Sequence, residues 1–439
     1  MTQPDLTGIK FFIQTFGCQM NENDSEHIAG LLSAAGARPV AAPDESDLVV
    51  INTCAVREKS VDKLYSLLGR LSKFKKDKEF LIGVAGCVAQ LYRSDILEKK
   101  PFVDFVIGPD NYWKLPEMLK SRFQEKFIAT QWYRDWHEIP EIQRTTAVSG
   151  YITVMEGCNN FCSYCVVPFT RGREKFRPAQ NILSEAEDLA SRGYLEVQLL
   201  GQNVNSYHDP ETGQNFSALL EEVDQVQDLD WIRFVTSHPK NIDPQLIHTM
   251  QQAKSICHQL HLPIQAGSEV VLKRMNRGYS RKEYMAIISH LKDAMPDIAL
   301  STDIIVGFPG ETEADFQQTL DVLEQVRYTN IFSFRYSPRP LTAASRMQDS
   351  IPLETKKERL QRVQDLQKEL QSEMNQAKVG KSYNVLCYGK SKKDAQVYSG
   401  RNYAHQVVNF SSDQECEGKF IKVHITGSGP YSLKGIALD

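Results

Sequence analysis

Hydrophobic and polar positions follow three different rhythms along this chain. Between residues 9 and 108, short apolar runs alternate with helical patterns. Ile9–Phe16, Asp47–Asn52, Phe80–Ala85 and Phe102–Gly108 read as strands, and Asp24–Ala35, Ser60–Phe74 and Leu91–Lys99 read as helices. Strands separated by helices imply a parallel, doubly wound sheet. From Tyr151 the alternation resumes with longer spacing. It predicts strands at Tyr151–Glu156, Glu196–Leu200, Trp231–Val235, His258–Leu262, Ala299–Val306 and Asn330–Phe334, with helical patterns between them. Six such units suggest an open (β/α)6 barrel, smaller than the eight-fold version. Leu360, Val363, Leu366, Leu370 and Met374 stand three and four apart, which predicts an amphipathic connector helix over 353–378. After Gly380, short alternating stretches punctuated by glycine predict a small all-β barrel.

The expected organisation is therefore α/β: a doubly wound domain over 1–125, a linker over 126–146, the open barrel over 147–375 and the small β-barrel over 376–439. A length of 439 residues, 41% of them hydrophobic, supports several separate cores. No run approaches the roughly 18 apolar residues of a spanning helix. The start, Met1-Thr-Gln-Pro-Asp-Leu-Thr-Gly, carries neither a basic nor an apolar leader region. The expectation is a cytoplasmic chain without a membrane segment, whose nine cysteines stay reduced. The net charge of −4 gives no global basic field. After residue 375, however, nine Lys or Arg face five Asp or Glu. A basic β-barrel on an acidic body reads as a nucleic-acid module or as a solvated surface.

The cysteines fall into two sets and a remainder. Cys158-Asn-Asn-Phe-Cys162-Ser-Tyr-Cys165 follows the first barrel strand. Three thiolates on one short loop can hold three irons of a [4Fe–4S] cluster and leave the fourth open to a small molecule. A closed zinc site would need a fourth ligand, and His137 and His208 are far away in sequence. Cys18, Cys54 and Cys87 each end a predicted strand. In a parallel sheet those ends lie side by side, where ligand sites form. The three should converge on a second open cluster, the alternative being three small buried residues. Cys257, Cys387 and Cys416 have no such companions and read as ordinary thiols.

Several segments also resemble a known family. They are Gly17-Cys-Gln-Met-Asn-Glu-Asn-Asp-Ser-Glu26, Asn52-Thr-Cys-Ala-Val-Arg-Glu58, Gly86-Cys87 and Glu156 to Glu174. Leu200-Gly-Gln-Asn-Val-Asn-Ser-Tyr207, His261-Leu-Pro-Ile-Gln265 and Thr302 to Glu311 complete the set. Over nearly the whole length the chain resembles the methylthiotransferases, a branch of the radical S-adenosylmethionine (SAM) enzymes with a C-terminal TRAM domain. The resemblance implies two [4Fe–4S] clusters: a radical cluster on Cys158, Cys162 and Cys165, and an auxiliary, sulfur-carrying one on Cys18, Cys54 and Cys87. SAM would chelate the open iron of the first and be cleaved there to a 5′-deoxyadenosyl radical. Tyr164 would lie near the SAM adenine. Gln202 and Asn203, with Ser237, Gln265 and Asp303 at three further strand ends, would contact SAM. Arg171 and Arg173 would meet tRNA phosphates, or else pair with Glu174 or an aspartate. The implied reaction adds a methylthio group to carbon 2 of dimethylallyl-adenosine beside the anticodon, with one SAM for sulfur methylation and one for the radical. The implied partners are the tRNA anticodon stem-loop and an electron donor such as flavodoxin or ferredoxin, with the chain acting as a monomer. One position departs from the family pattern: Leu341 stands where glycine is usual, and a left-handed backbone is costly for leucine.

Overall fold

Leu48–Thr53 is buried at every residue, and its alternate side chains feed two different cores. Val49 and Ile51 join the core beneath helix Glu58–Phe74, whereas Leu48 and Val50 join the one beneath helix Gln19–Ala34. A strand covered on both faces belongs to a parallel sheet. In the computed structural model, which describes residues 5–121, 125–139 and 142–438, this sheet has six parallel strands. They are β1 (Lys10–Phe16), β2 (Arg38–Pro39), β3 (Leu48–Thr53), β4 (Leu81–Ala85), β5 (Phe105–Ile107) and β6 (Phe127–Ala129), in the order β2-β1-β3-β4-β5-β6. Winding reverses between β1 and β3, which opens a crevice at their C-terminal ends.

Three expectations need correction here. The linker expected over 126–146 contains β6, because Phe127 stacks on Phe105 with ring centroids 4.9 Å apart and its backbone pairs with β5. Three residues carry no periodic signal, so tertiary pairing alone makes this strand. The first helix, α1, starts at Gln19 rather than Asp24. Its first turns are polar yet buried, which hid the start. The helix expected over Leu91–Lys99 is two, Cys87–Tyr92 and Ser94–Lys99, broken at Arg93 with φ 43°. Residues 1–4, 122–124, 140–141 and 439 of the expected segments, and with them the first half of the start on which the leader reading rests, lie outside the described residues.

The central strands are β7 (Ser149–Thr153), β8 (Met155–Glu156), β9 (Lys175–Phe176), β10 (Glu196–Leu200), β11 (Trp231–Phe234), β12 (Gln259–His261), β13 (Ala299–Val306) and β14 (Asn330–Arg335). Two parallel sheets, β11-β10-β7 and β12-β13-β14, are joined by a bridge between Ile232 and Ile256. One core runs through both, with Ile152, Val197, Ile232, Leu260, Ile304 and Ile331 among its members. The strand expected over Tyr151–Glu156 breaks at Val154, whose N–H goes to Leu200 and whose carbonyl accepts from Arg177. Beyond the break, β8 pairs antiparallel with β9. The cysteine loop is thus held at both ends by a short hairpin.

The C-terminal module closes as a barrel of β15 (Ser382–Ser391), β16 (Asp394–Asn402), β17 (Val407–Ser411), β18 (Phe420–Ser428) and β19 (Leu433–Ala437). The last strand was not expected, because Lys434 and Gly435 interrupt its apolar pattern. The module docks at the N-terminal ends of the central strands. Trp231 meets Tyr403 and Phe420 edge-on, and Arg233 donates to Glu196 (2.6 Å) and to the carbonyls of Asn402 and Tyr403 (3.0 and 2.9 Å). The connector helix, Leu353–Gln376, puts Val363 in the central core and ties Asn375 to the Gly429 carbonyl at 2.8 Å.

Leu341 keeps the left-handed backbone, with φ 70°, and is 56% exposed. The loop shape therefore survives the loss of glycine, at a cost of about 1–2 kcal/mol for an L residue in that conformation. Because more than half of the Leu341 surface is already exposed, little packing is lost and Leu341→Gly should stabilise the chain. The glycine's larger unfolded-state entropy takes back part of the gain, leaving up to about 1 kcal/mol. A denaturant midpoint raised at unchanged slope would show it; a lowered midpoint would mean that Leu341 makes contacts worth more than the strain.

Candidate metal and cofactor site

The hairpin loop turns sharply at Gly157, where φ is 81° and a β-carbon would stand 2.1 Å from the Arg173 carbonyl. Only glycine fits, and the turn projects Cys158, Cys162 and Cys165 beyond the strand ends. A second segment clasps the loop. Ser163 bonds the carbonyls of Met275 (2.9 Å, through N–H) and Arg274 (2.8 Å, through the hydroxyl), and Asn276 donates to the Phe161 carbonyl at 3.1 Å. Phe161 is held at φ 47°, a strained conformation of the kind found at binding sites. Burial pushes the Cys158 thiol up, and the Cys165 thiol up to about 12, with the charge of Cys162 adding to the second shift. Binding a metal here means replacing those protons.

Around this loop the strand ends present polar atoms with no partner. Gln202 accepts the Gly157 N–H through Oε1 and leaves Nε2 unbonded. Asn203 donates to Asn241 (3.3 Å) and leaves Oδ1 unbonded. Ser237 Oγ and Gln265 Oε1 are also buried without a partner among the described residues. Each such atom costs about 1–3 kcal/mol. Four of them around one three-cysteine loop mark a place where a polar ligand belongs. The backbone carries strain there too, at Thr236 (φ 69°) and Gln265 (φ 74°). Gln202 is tied to the cysteine loop through Gly157 and Asn203 through Glu174, and Thr236, beside Ser237, accepts from the Val204 N–H at 3.1 Å. Asp303 lies inside β13 rather than at its end: its carbonyl accepts from the Gln265 N–H at 3.0 Å, and its carboxylate is 3.5 Å from His261 Nε2. Tyr164 packs against the cluster of Ala266, Val271 and Phe308, its hydroxyl taken by Arg277 at 3.2 Å.

The second set stands at the crevice of the N-terminal sheet. Cys18 caps α1 directly after β1, Cys54 follows β3, and Cys87 opens the helix after β4. Gly86 turns the chain there with φ 88°, its missing β-carbon leaving room for Asn52 Oδ1 2.3 Å away. The three sulfurs sense one another. The Cys54 thiol bonds to Cys18, which draws Cys18 down to about 6 and, with burial and the charges of Cys18 and Cys87, holds Cys54 up. Among the described residues no three His, Cys, Asp or Glu converge on the point a single ion would occupy. A tetrahedral zinc would require that. In a cubane each thiolate takes a different iron, so a cluster does not require that convergence.

Between the two sets lies a buried ion network. Arg171, only 4% exposed, pairs with both oxygens of Asp24 on α1 and with Glu156 at 3.3 Å. Lys175 pairs with Asp110 and, at 3.7 Å, with Glu156. The expectation of Arg171 on tRNA phosphate is therefore corrected: it is committed to carboxylates inside the protein. Arg173 stays exposed and lies over the Phe161 ring at 4.2 Å. The polar face of α1 seals this interface, with Asn23 donating to Thr153 (2.7 Å) and Gln19 to Gln198 (3.2 Å). Two contributors went unseen in the sequence. Glu174 accepts from Asn159, Asn203 and Ser206, joining the cysteine loop to the neighbouring strand end. Arg277 donates to Cys162 Sγ at 3.3 Å. Its only sequence signal is the turn Asn276-Arg277-Gly278.

Comparison with known proteins places both halves. Residues 10–108 match the family described as uncharacterized protein family UPF0004, and residues 152–323 match the radical SAM superfamily. A tRNA-2-methylthio-N(6)-dimethylallyladenosine synthase of Geobacter metallireducens is 45% identical over 98% of this chain and 99% of its own length. One from Acetivibrio thermocellus is 44% identical over 97% of this chain and 90% of its own. The chain belongs to this synthase family. The synthase family is part of the radical SAM superfamily, and the fold agrees with that placement. The radical SAM methyltransferase TsrM of Kitasatospora setae aligns with a TM-score of 0.57 over 77% of this chain and 75% of its own, at 13% identity. The cobalamin-dependent enzyme OxsB aligns at 0.55 over 82% and 56%, at 12% identity.

Proposed function

We propose that this chain is a radical SAM methylthiotransferase that adds a methylthio group to carbon 2 of dimethylallyl-adenosine beside the tRNA anticodon. The observation that carries the reading is the pairing of two three-cysteine sets across one buried interface, with four unpartnered polar groups at the mouth of the first. Cys158, Cys162 and Cys165 would hold the radical cluster, and Cys18, Cys54 and Cys87 the auxiliary one. When bound, these groups supply the electron that cleaves SAM and the sulfur that is transferred. The chain's own residues do the rest. Gln202, Asn203, Ser237 and Gln265 offer amide and hydroxyl partners suited to the amino-acid end of SAM. Met155, whose sulfur receives the Gln202 N–H at 3.2 Å, fixes that loop. The C2–H of adenine is too weakly acidic for an ordinary base, so radical activation matches the substrate. The base must leave the anticodon stack to enter the mouth, as base-modifying enzymes require. An external donor such as flavodoxin or ferredoxin would supply electrons to a cytoplasmic monomer. Among the described residues no helix is long and apolar enough to cross a membrane.

The C-terminal barrel sits at the far end of the central strands from the mouth, so it would take the stem rather than the loop of the anticodon arm. Lys381, Lys392, Lys393, Lys422 and Lys434 are exposed and form no ion pair with a carboxylate among the described residues. Replacing Lys392, Lys393, Lys422 and Lys434 by Ala should weaken tRNA binding and flatten its salt dependence. Each lost phosphate contact lowers the log–log slope by about 0.7–0.9. Iron content and SAM cleavage without tRNA should be unchanged. An unaltered slope in a folded variant would place the tRNA on the first two domains instead.

A further inference from the structure

The two cysteine sets each have a buried guanidinium at one sulfur, but the two guanidiniums differ in their counter-charges. Arg171, whose charge pulls against the burial that raises the Cys87 thiol, is balanced by Asp24 and Glu156. Arg277 is 4% exposed and has no carboxylate partner among the described residues. Every contact it makes is neutral as the protein stands. Nη2 donates to the Pro263 carbonyl (2.6 Å), Nε to the Tyr279 hydroxyl (2.9 Å), and Nη1 to the Tyr164 hydroxyl (3.2 Å) and Cys162 Sγ (3.3 Å). A buried cation without a counter-charge is heavily penalised. Among the groups Arg277 touches, the Cys162 sulfur is the one that becomes a full anion when it binds iron. The carbonyl and two hydroxyls hold the guanidinium in place, so it cannot turn to water or to a distant acid.

We propose that Arg277 is the resident counter-ion of the radical cluster, a positioning residue that acts through the Cys162 thiolate to favour the reduced state. Three thiolates already make a cluster anionic, and the electron it must accept adds another negative charge. A fixed cation at one sulfur stabilises the more negative state, and outer hydrogen bonds to cluster sulfurs tune potentials in the same direction. This places the device at the step where the cluster takes its electron. Arg171 lacks that bias, because its two carboxylates cancel its charge. The proposal rests on the cluster assignment to Cys158, Cys162 and Cys165.

The test is a spectroelectrochemical titration of the reconstituted full chain, with Cys18, Cys54 and Cys87 replaced by Ala so that one cluster is observed. Arg277→Gln, which keeps hydrogen-bonding capacity but not the charge, should move the midpoint potential to more negative values at unchanged iron content. Arg277→Lys, which keeps the charge on a shorter reach, should move it back part of the way. An unchanged potential in Arg277→Gln would overturn the proposal. So would loss of the cluster in both variants, which would make Arg277 a loop-folding residue. If the chain with Arg277 intact shows no cluster signal that Cys158→Ala removes, the cluster assignment itself has failed, a result distinct from either.

Discussion

Replacing Cys158, Cys162 and Cys165 together by Ala should remove about half of the iron and abolish reductive SAM cleavage, because one open cluster per three-cysteine set is the arrangement the two sites support. Replacing Cys18, Cys54 and Cys87 should also remove about half, yet leave 5′-deoxyadenosine release measurable while methylthio transfer stops. Anaerobic iron and sulfide analysis with product chromatography reads both outcomes. The asymmetry follows from position. The unpartnered groups of Gln202 and Asn203 are tied to the loop of the first set, whereas the second sits across the interface at the crevice of β1, β3 and β4. Full iron retention in the second triple variant would refute the strand-end assignment.

Arg171→Met should be strongly destabilising. It leaves the Asp24 carboxylate buried without its cation, and Glu156 with Lys175 alone, a loss of about 3–5 kcal/mol for a broken buried pair. Burial already raises the Asp24 carboxyl against the opposing pull of Arg171. Without the guanidinium it rises further, so the variant should lose stability as pH climbs from the unfolded carboxylate range towards that raised value. Asp24→Asn in the same chain should recover part of the loss and reduce the pH dependence to what Glu156, also raised by burial, contributes. Urea midpoints at several pH values measure this. A midpoint within about 1 kcal/mol of the parent at neutral pH would mean that water reaches the network.

Much of this architecture was legible because the strands that build it carry apolar runs, as Leu48–Ile51 in Leu48–Thr53 and Ile304–Val306 in Ala299–Val306. The cysteine positions were legible for a related reason: each follows such a strand, and a parallel sheet brings those ends together. What escaped was set by tertiary contacts. β6 exists through Phe127 stacking on Phe105, and α1 buries Asn23, Asp24 and Glu26 because the central barrel supplies their partners. Arg171 stayed open between tRNA phosphate and a carboxylate partner because nothing local showed that Asp24, far away in sequence, would meet it. Asp303 was misplaced by half a strand, since its motif does not say where β13 ends.

The most direct measurement is mass spectrometry of tRNA nucleosides after anaerobic incubation of the reconstituted chain with SAM, a reductant and tRNA carrying dimethylallyl-adenosine. The account predicts a 2-methylthio derivative of that nucleoside, absent when Cys158 or Cys54 is replaced by Ala. A chain that leaves this tRNA unchanged while methylthiolating threonylcarbamoyl-adenosine or a ribosomal protein would contradict it.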